Sequence, residues 1–519
     1  MNDNGAQPDL LSLVRAFARR GADAAVRVGD EVCAGAALQD RVEAVASGLL
    51  QAGLGAGERV AVLLPRCVDE AVALLAVAAA GGIAVPVHQK LKDDQVAHLL
   101  QDCEPFAVLT SRTRLLPLRD PGALLRGRRT WFADAAPGGP DAVPVAPGGE
   151  RLSPPPPRAP AVLLYTSGST GRQKGIVQDH HNLTLGAAIV AGYLGLSAQD
   201  HVLALLPFSF DYGLNQLLSV LHVGARLTAA DHLGGGELAW LLRRHRPTGL
   251  AGVPSLWHEV AAALASGTLT DDDGRSLRYV TNSGGVLRRG DGAALRRHWP
   301  QAQVFAMYGL TEAFRSAFLP PAEYDTFPDS FGRALPGVEL LLVDDNGRVL
   351  DGEATGELVH AGALVAHGYW RRPEDSARRF RPDPRGRAGT VVFSGDIVRR
   401  DAAGRHFFVG RNDRLLKVQG HRVSPDEVAA AIAGMPGVGE VVVVGVDGGA
   451  DGHHLVVHLS GDVADRTLPA LVLRRCRATL PSYMQPAAVQ VWVALPHNQN
   501  GKIDEAALRA AMGPCTDNT

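Results

Sequence analysis

The stretch Tyr165-Thr166-Ser167-Gly168-Ser169-Thr170-Gly171-Arg172-Gln173-Lys174-Gly175 constrains this 519-residue chain more than any other. The apolar run Ala161-Val162-Leu163-Leu164 before it predicts a buried strand that feeds a loop. Glycines let a backbone approach an anion closely, and hydroxyls with exposed N–H groups donate hydrogen bonds to phosphate oxygens. The loop does not close on Gly-Lys-Ser/Thr, so it is not the cradle of ordinary NTPases. That mismatch points to enzymes that cut ATP between its α- and β-phosphates. A flexible Gly/Ser linker is the alternative, and the rest of the chain argues against it.

A chain of this length exceeds what one hydrophobic core usually serves, so at least two domains are expected. Strand-like runs alternate with helical patterns: Val60–Leu64, a helix over 68–80, Gly82–Val87, His201–Leu206 and Val304–Met307. Such alternation predicts α/β layers built on parallel sheets. Past Gly410 the pattern changes. A helix over 424–433, strands over 440–446 and 455–459 and a helix over 468–480 predict a small α+β unit. The expected division is therefore a large multi-layer domain over 1–410 and a small, mobile domain over 411–519. Ser153-Pro154-Pro155-Pro156-Pro157-Arg158 reads as a stiff surface connection into the Ala161 strand, with a proline-rich ligand motif as the alternative.

Charge excludes several functions. Lysine plus arginine number 52 against 54 aspartate plus glutamate, leaving no electrostatic footprint for nucleic acid or an anionic membrane. The most apolar window, 71–87, is broken by Gly81, Gly82 and Pro86 and falls short of a membrane span. The first ten residues are polar and carry no signal-peptide pattern. Five scattered cysteines lack metal-ligand spacing and read as free thiols of a cytoplasmic protein.

Further segments suit phosphate chemistry. Tyr308-Gly309-Leu310-Thr311-Glu312 follows a predicted strand and offers a ring to stack on a purine and a carboxylate for Mg²⁺. Ser394-Gly395-Asp396 places an acid in a tight turn, suited to ribose hydroxyls. Gly410-Arg411-Asn412-Asp413 sits where the composition changes, and Asn500-Gly501-Lys502 puts one lysine on a turn near the chain end. Each alone reads equally as a solvated turn or a structural ion pair.

Their joint order resembles the superfamily of AMP-forming acyl-CoA synthetases, peptide-synthetase adenylation domains and luciferases. The resemblance runs from about Leu38 to Leu508 and includes Thr355-Gly356-Glu357-Leu358, Gly368-Tyr369-Trp370 and Gly420-His421-Arg422. It implies activation of a carboxylic acid by MgATP as an acyl-adenylate, then transfer of the acyl group to a thiol. By the same resemblance Thr166, Ser167, Gly168, Ser169, Thr170, Gly171 and Lys174 hold the β- and γ-phosphates. Tyr308 and Gly309 lie against adenine, with Ser283, Gly284 and Gly285 as the neighbouring wall. Thr311 and Glu312 meet phosphate and Mg²⁺, Asp396 meets the ribose, and Arg411 supports ribose or phosphate. Lys502 reaches both the acid and the α-phosphate. Asp413 is the hinge and Gly420 lines the thiol tunnel.

The acid pocket falls at Phe208-Ser209-Phe210-Asp211-Tyr212-Gly213-Leu214-Asn215-Gln216. Phe210-Asp211 resembles the pair of amino-acid-activating domains, whose aspartate binds the substrate ammonium. A buried carboxylate wants a cation, and that cation is a substrate ammonium or a structural arginine. Arg315 either enters the pocket beside Ser283 to pair with a second carboxylate or is an ordinary salt-bridge arginine. These segments resemble stand-alone enzymes that load β-amino acids onto carrier proteins, for which an aspartate derivative would suit. They also resemble exosortase-associated acyl-CoA ligases, whose acceptor is CoA. The leading expectation is amino acid adenylation and transfer to a separate carrier protein. The rivals are an acyl-CoA synthetase and a nucleotide-binding scaffold that has lost catalysis.

Overall fold

The computed structural model describes residues 9–21, 23–146, 152–167, 173–231, 234–411, 416–418, 421–447, 453–480, 484–498 and 501–511. Two sheets carry the large domain. In the first, strands Thr130–Phe132, Ala107–Thr110, Arg59–Leu63, Ile83–Pro86 and Pro160–Ser167 run parallel, and Gln173–Asp179 closes the edge as an antiparallel hairpin partner of Pro160–Ser167. The expected strand at Ala161 is present, and Thr166 stands opposite Lys174 across that hairpin.

The second sheet changes character midway. Strands Ala25–Val28, Arg226–Ala229, His201–Ala204, Gly249–Gly252, Tyr279–Asn282 and Gln303–Tyr308 are parallel neighbours. From Ala317–Leu319 onwards the pairing is antiparallel, through Ser330–Ala334, His406–Arg411, Thr390–Arg400, Ala354–Gly362 and Val338–Val343. The expected α/β architecture with parallel sheets is present, and an antiparallel half is added to it. The antiparallel half differs because short turns, such as that at Asp401–Arg405, join its strands where a parallel pair needs a helical crossover.

Helices Val68–Ala79, His180–Leu194 and Asp211–Val223 are buried over most of their surface. A helix lying between layers is buried all round, and Val68–Ala79 is apolar there apart from Glu70. The other two also bury polar side chains, His180, His181, Asn182 and Thr184 in one and Asp211, Asn215, Gln216 and Ser219 in the other. The proline segment is a connection, as expected. Pro157 accepts the His181 N–H at 2.8 Å, and Arg158 pairs with Asp179 at 3.2 Å.

The small domain has its own apolar cluster, including Val423, Ile432, Val457 and Val472. Helices Pro425–Ile432 and Leu468–Thr479 cover a sheet of Val441–Asp447, His453–Ser460 and Ala488–Trp492. Four of the cysteines are free thiols. Among the described residues no helix is long and apolar enough to cross a membrane.

Candidate active site

The strand Gln303–Tyr308 delivers Tyr308 at its C-terminal end, where ligands gather in open α/β sheets. The Tyr308 ring stacks on Phe331 at 4.4 Å, and its hydroxyl donates to Asp396. Burial and the Asp396 charge push the Tyr308 phenol well above its ordinary range, so it stays a donor. Asp396 lies in strand Thr390–Arg400 directly across from Arg411, which donates to its other oxygen at 2.9 Å. Tyr308, Asp396 and Arg411, separated by 88 and 15 positions, therefore form one cluster.

Thr311 and Glu312 follow in a single 3₁₀ turn. Gln178 donates to the Thr311 carbonyl at 2.5 Å, which ties this turn to the strand carrying Lys174. Glu312 Oε1 accepts from the Tyr369 hydroxyl at 2.6 Å. Lys174 pairs with Asp375 at 2.9 Å and lies 5.5 Å from the Tyr369 ring centroid. Sequence reading gave Tyr369 no role and missed Asp375 altogether. Tyr369 was visible within a quoted motif, whereas Asp375 carried no local signal.

Lys502 reaches the same place from the small domain. The turn that holds it is closed by the Asn498 N–H on the Lys502 carbonyl at 2.7 Å, with Gly501 at φ +72°. A Cβ on Gly284 would stand 3.9 Å from Lys502 Cε, so the lysine stem crosses the Ser283–Gly285 wall. Lys502 also lies close enough to Asp211 to favour its ionised form.

Phe210 caps the helix Asp211–Val223, and Asp211 occupies its first turn at 4% exposure. Arg315, 3% exposed, donates from Nη1 to Asp211 Oδ2 at 3.3 Å. Of the alternatives the sequence left open, the structure shows the structural one for both residues: the arginine beside Asp211 is Arg315. Burial raises the Asp211 pKa, and the Arg315 charge opposes that rise. The pair is incompletely satisfied: Arg315 Nε and Nη2 have no hydrogen-bond partner among the described residues. Asn215 Nδ2 and both amide atoms of Gln216 share that condition. All three side chains line a hollow of about 20 Å³, room for one water. Among the described residues Arg315 donates to Asp211 and to the Phe314 carbonyl rather than to Ser283, which is buried just past strand Tyr279–Asn282.

Gly168, Ser169, Thr170 and Gly171 lie outside the described residues, as do Asp413 and Gly420. Thr166 and Ser167 end the strand that leads to the first four.

Models of known families match this chain twice: "AMP-binding enzyme" over residues 14–370 and "AMP-binding enzyme C-terminal domain" over 427–502. The chain belongs to the AMP-binding enzyme family. It is 31% identical to the L-proline–[L-prolyl-carrier protein] ligase of Streptomyces coelicolor, over 96% of both chains. It is also 32% identical to the probable non-canonical nonribosomal peptide synthetase CymA of Salinispora arenicola, but spans only 6% of that protein's length. Among solved structures, ATP-bound MatB of Rhodopseudomonas palustris superposes with a TM-score of 0.85 at 25% identity, covering 98% of this chain and 99% of that one. The large domain and small C-terminal domain of this AMP-binding enzyme are thus those of its superfamily.

Proposed function

We propose that this AMP-binding enzyme activates an amino acid, preferentially a β-amino acid, as its aminoacyl-adenylate and passes the acyl group to the phosphopantetheine thiol of a separate carrier protein. The observation that carries this reading is the buried Asp211–Arg315 pair with its unfilled hydrogen bonds. An amino acid bearing a second carboxylate, such as an aspartate derivative, would place its ammonium on Asp211 and that carboxylate on the free edge of Arg315. Such a ligand gives the unfilled donors of Arg315 and the Asp211 carboxylate charged partners, which a simple fatty or aromatic acid does not supply. The carrier-protein ligase similar over its whole length supports the choice of acceptor.

In the first step an oxygen of the acid's carboxylate attacks the α-phosphorus of ATP. The bond to the bridging oxygen breaks and pyrophosphate leaves. Lys502 brings its positive charge to both the carboxylate and the α-phosphate, where negative charge builds. Preorganised charge of that kind typically contributes about 3–4 kcal/mol to a barrier. Tyr308 offers its face to adenine, and Asp396 with Arg411 takes the ribose. Lys174 and the hydroxyls Thr166 and Thr311 face the phosphates. Glu312 is a single carboxylate beside phosphate-binding groups, the donor set that Mg²⁺ takes alongside nucleotide oxygens and water. There the ion would neutralise charge on the departing pyrophosphate. In the second step the thiolate attacks the acyl carbon and AMP leaves. Rotation of the small domain about Asp413 would open the way for the thiol past Gly420.

Pyrophosphate exchange over α-amino, β-amino and simple carboxylic acids tests the proposal. Exchange with desamino acids as strong as with their amino counterparts would overturn the Asp211 assignment. Offering free CoA and a holo carrier protein with a free phosphopantetheine thiol in turn separates this reading from the acyl-CoA synthetase alternative. Failure of every acid to exchange would return the scaffold reading.

A further inference from the structure

The segment His367–Trp370 is fastened on two sides before its side chains are considered. The Ala366 N–H donates to the Glu312 carbonyl at 2.9 Å, and the Trp370 N–H donates to the Gly175 carbonyl at 2.7 Å. Tyr369 pairs with Ile176 as an isolated bridge, and its N–H donates to Ser376 Oγ at 2.9 Å. Its ring meets Phe380 edge-on at 5.6 Å. Tyr369 is therefore a rigid ring between two charges. Its hydroxyl holds the Glu312 carboxylate at 2.6 Å, and its face lies below the Lys174 ammonium. Beyond it, helix Pro373–Arg379 presents Asp375 to that same ammonium at 2.9 Å. Arg379 from this helix also reaches Tyr369, and its guanidinium crowds Gly395 beside Asp396.

We propose that Tyr369 is a positioning residue for the β,γ-phosphate end of ATP, fixing Lys174 and Glu312, and that Asp375 stands on Lys174 in place of a phosphate until the nucleotide displaces it. The stand-in is exchangeable because the Lys174–Asp375 pair is partly exposed, at 15% and 25%. Ion pairs reached by solvent contribute little, whereas a triphosphate brings several charges to the same ammonium. Asp375 thus stores Lys174 in its working rotamer and competes weakly with the ligand. Tyr369 spares Glu312 the search for a rotamer when metal and phosphate arrive.

The inference rests on the reading of this site as an ATP site. Calorimetric binding of ATP with Mg²⁺, and of AMP, to the full chain tests it with three proteins. AMP lacks the two phosphates concerned and serves as the internal control. Asp375→Asn is expected to tighten ATP binding roughly two- to fivefold and to leave AMP unmoved. Tyr369→Phe keeps the ring but loses the hydroxyl. It is expected to weaken ATP binding roughly three- to tenfold, to raise the Mg²⁺ concentration needed, and again to leave AMP unmoved. ATP and AMP moving together in either variant, or ATP binding equal to wild type in both, would overturn the inference alone. Wild-type protein that binds no ATP would overturn the ATP-site reading and the inference with it. Asp375 sits on a surface helix, so its variant remains informative should Tyr369→Phe fold poorly.

Discussion

At the scale of single residues, the Asp211–Arg315 pair decides most. Two charges held at 4% and 3% exposure have lost their water, and one 3.3 Å contact compensates only part of that loss. Arg315→Met should therefore destabilise the fold by about 3–5 kcal/mol, because it strands a buried carboxylate. The double variant with Asp211→Asn should recover most of that loss, and urea unfolding of the cycle reads both. Lys502 is the opposite case. It is exposed, so Lys502→Ala should leave the unfolding midpoint in place while abolishing detectable pyrophosphate exchange. Sequence alone named Lys502, Tyr308, Glu312 and Asp396, since each sits in a short stretch whose local chemistry is visible. It could also see that Asp211 and Arg315 are charged. It could not see that they touch across 104 positions, because opposite charges carry no address.

Among elements, the turn after Glu312 shows how local geometry serves two pockets. Phe314 has φ +52° and ψ −56°, and the Arg315 N–H bonds back to the Ala313 carbonyl at 2.6 Å. That is a classical γ-turn, rare for a bulky residue and strained. It sends Glu312 towards Tyr369 and Arg315 towards Asp211 within four residues. The fully buried Phe314 ring seats on Gly186, where a Cβ would stand 2.4 Å from Cδ1. Gly186→Ala should cost about 1–3 kcal/mol by overpacking, with weaker acid binding as the turn shifts. Denaturant unfolding and the acid KM check the two parts. In the buried helix Val68–Ala79, Glu70 has its pKa pushed up to about 8 by burial, against the pull of Arg66. A carboxyl held protonated in the fold and ionised when unfolded stabilises below its unfolded pKa of about 4.5. That stability is lost as pH rises towards 8. Across that window wild type should lose about 1.4 kcal/mol per pH unit from this group, and Glu70→Gln should flatten the slope. Strands and helices of the parallel half were legible from their alternation, within a few residues. The antiparallel half was not, because alternation along one strand says nothing about the direction of its neighbour.

On the scale of the molecule, the small domain is seated on the large one by few polar contacts. Arg288 of the large domain approaches Glu440 of the small one at 3.7 Å, and within the small domain His497, a few residues before Lys502, holds that same Glu440 at 2.8 Å. A Cβ on Gly501 would lie 3.0 Å from Ser255 Oγ, so Gly501 fits the large domain's surface closely. Glu440→Ala removes the Arg288 contact between the domains and frees His497 beside it. It should lower the rate of adenylate formation about two- to fivefold, raise its salt tolerance, and leave transfer of a preformed adenylate unchanged. Separate assays of the two half-reactions check this. That a small C-terminal domain follows a large one was legible from the change in pattern late in the chain. Their mutual placement was not, since it depends on side chains drawn from distant segments such as Arg288 and Glu440.

Arg411 closes the strand His406–Arg411 and grips the carboxylate of Asp396 across it. The polypeptide quits the large sheet at that residue, one bond from a group assigned to the nucleotide's sugar. A lever is fastened there to the thing it handles. On the proposed assignment of Asp396 to the ribose, the sugar would be tied through Arg411 to the strand end, and departure of AMP would release that tie.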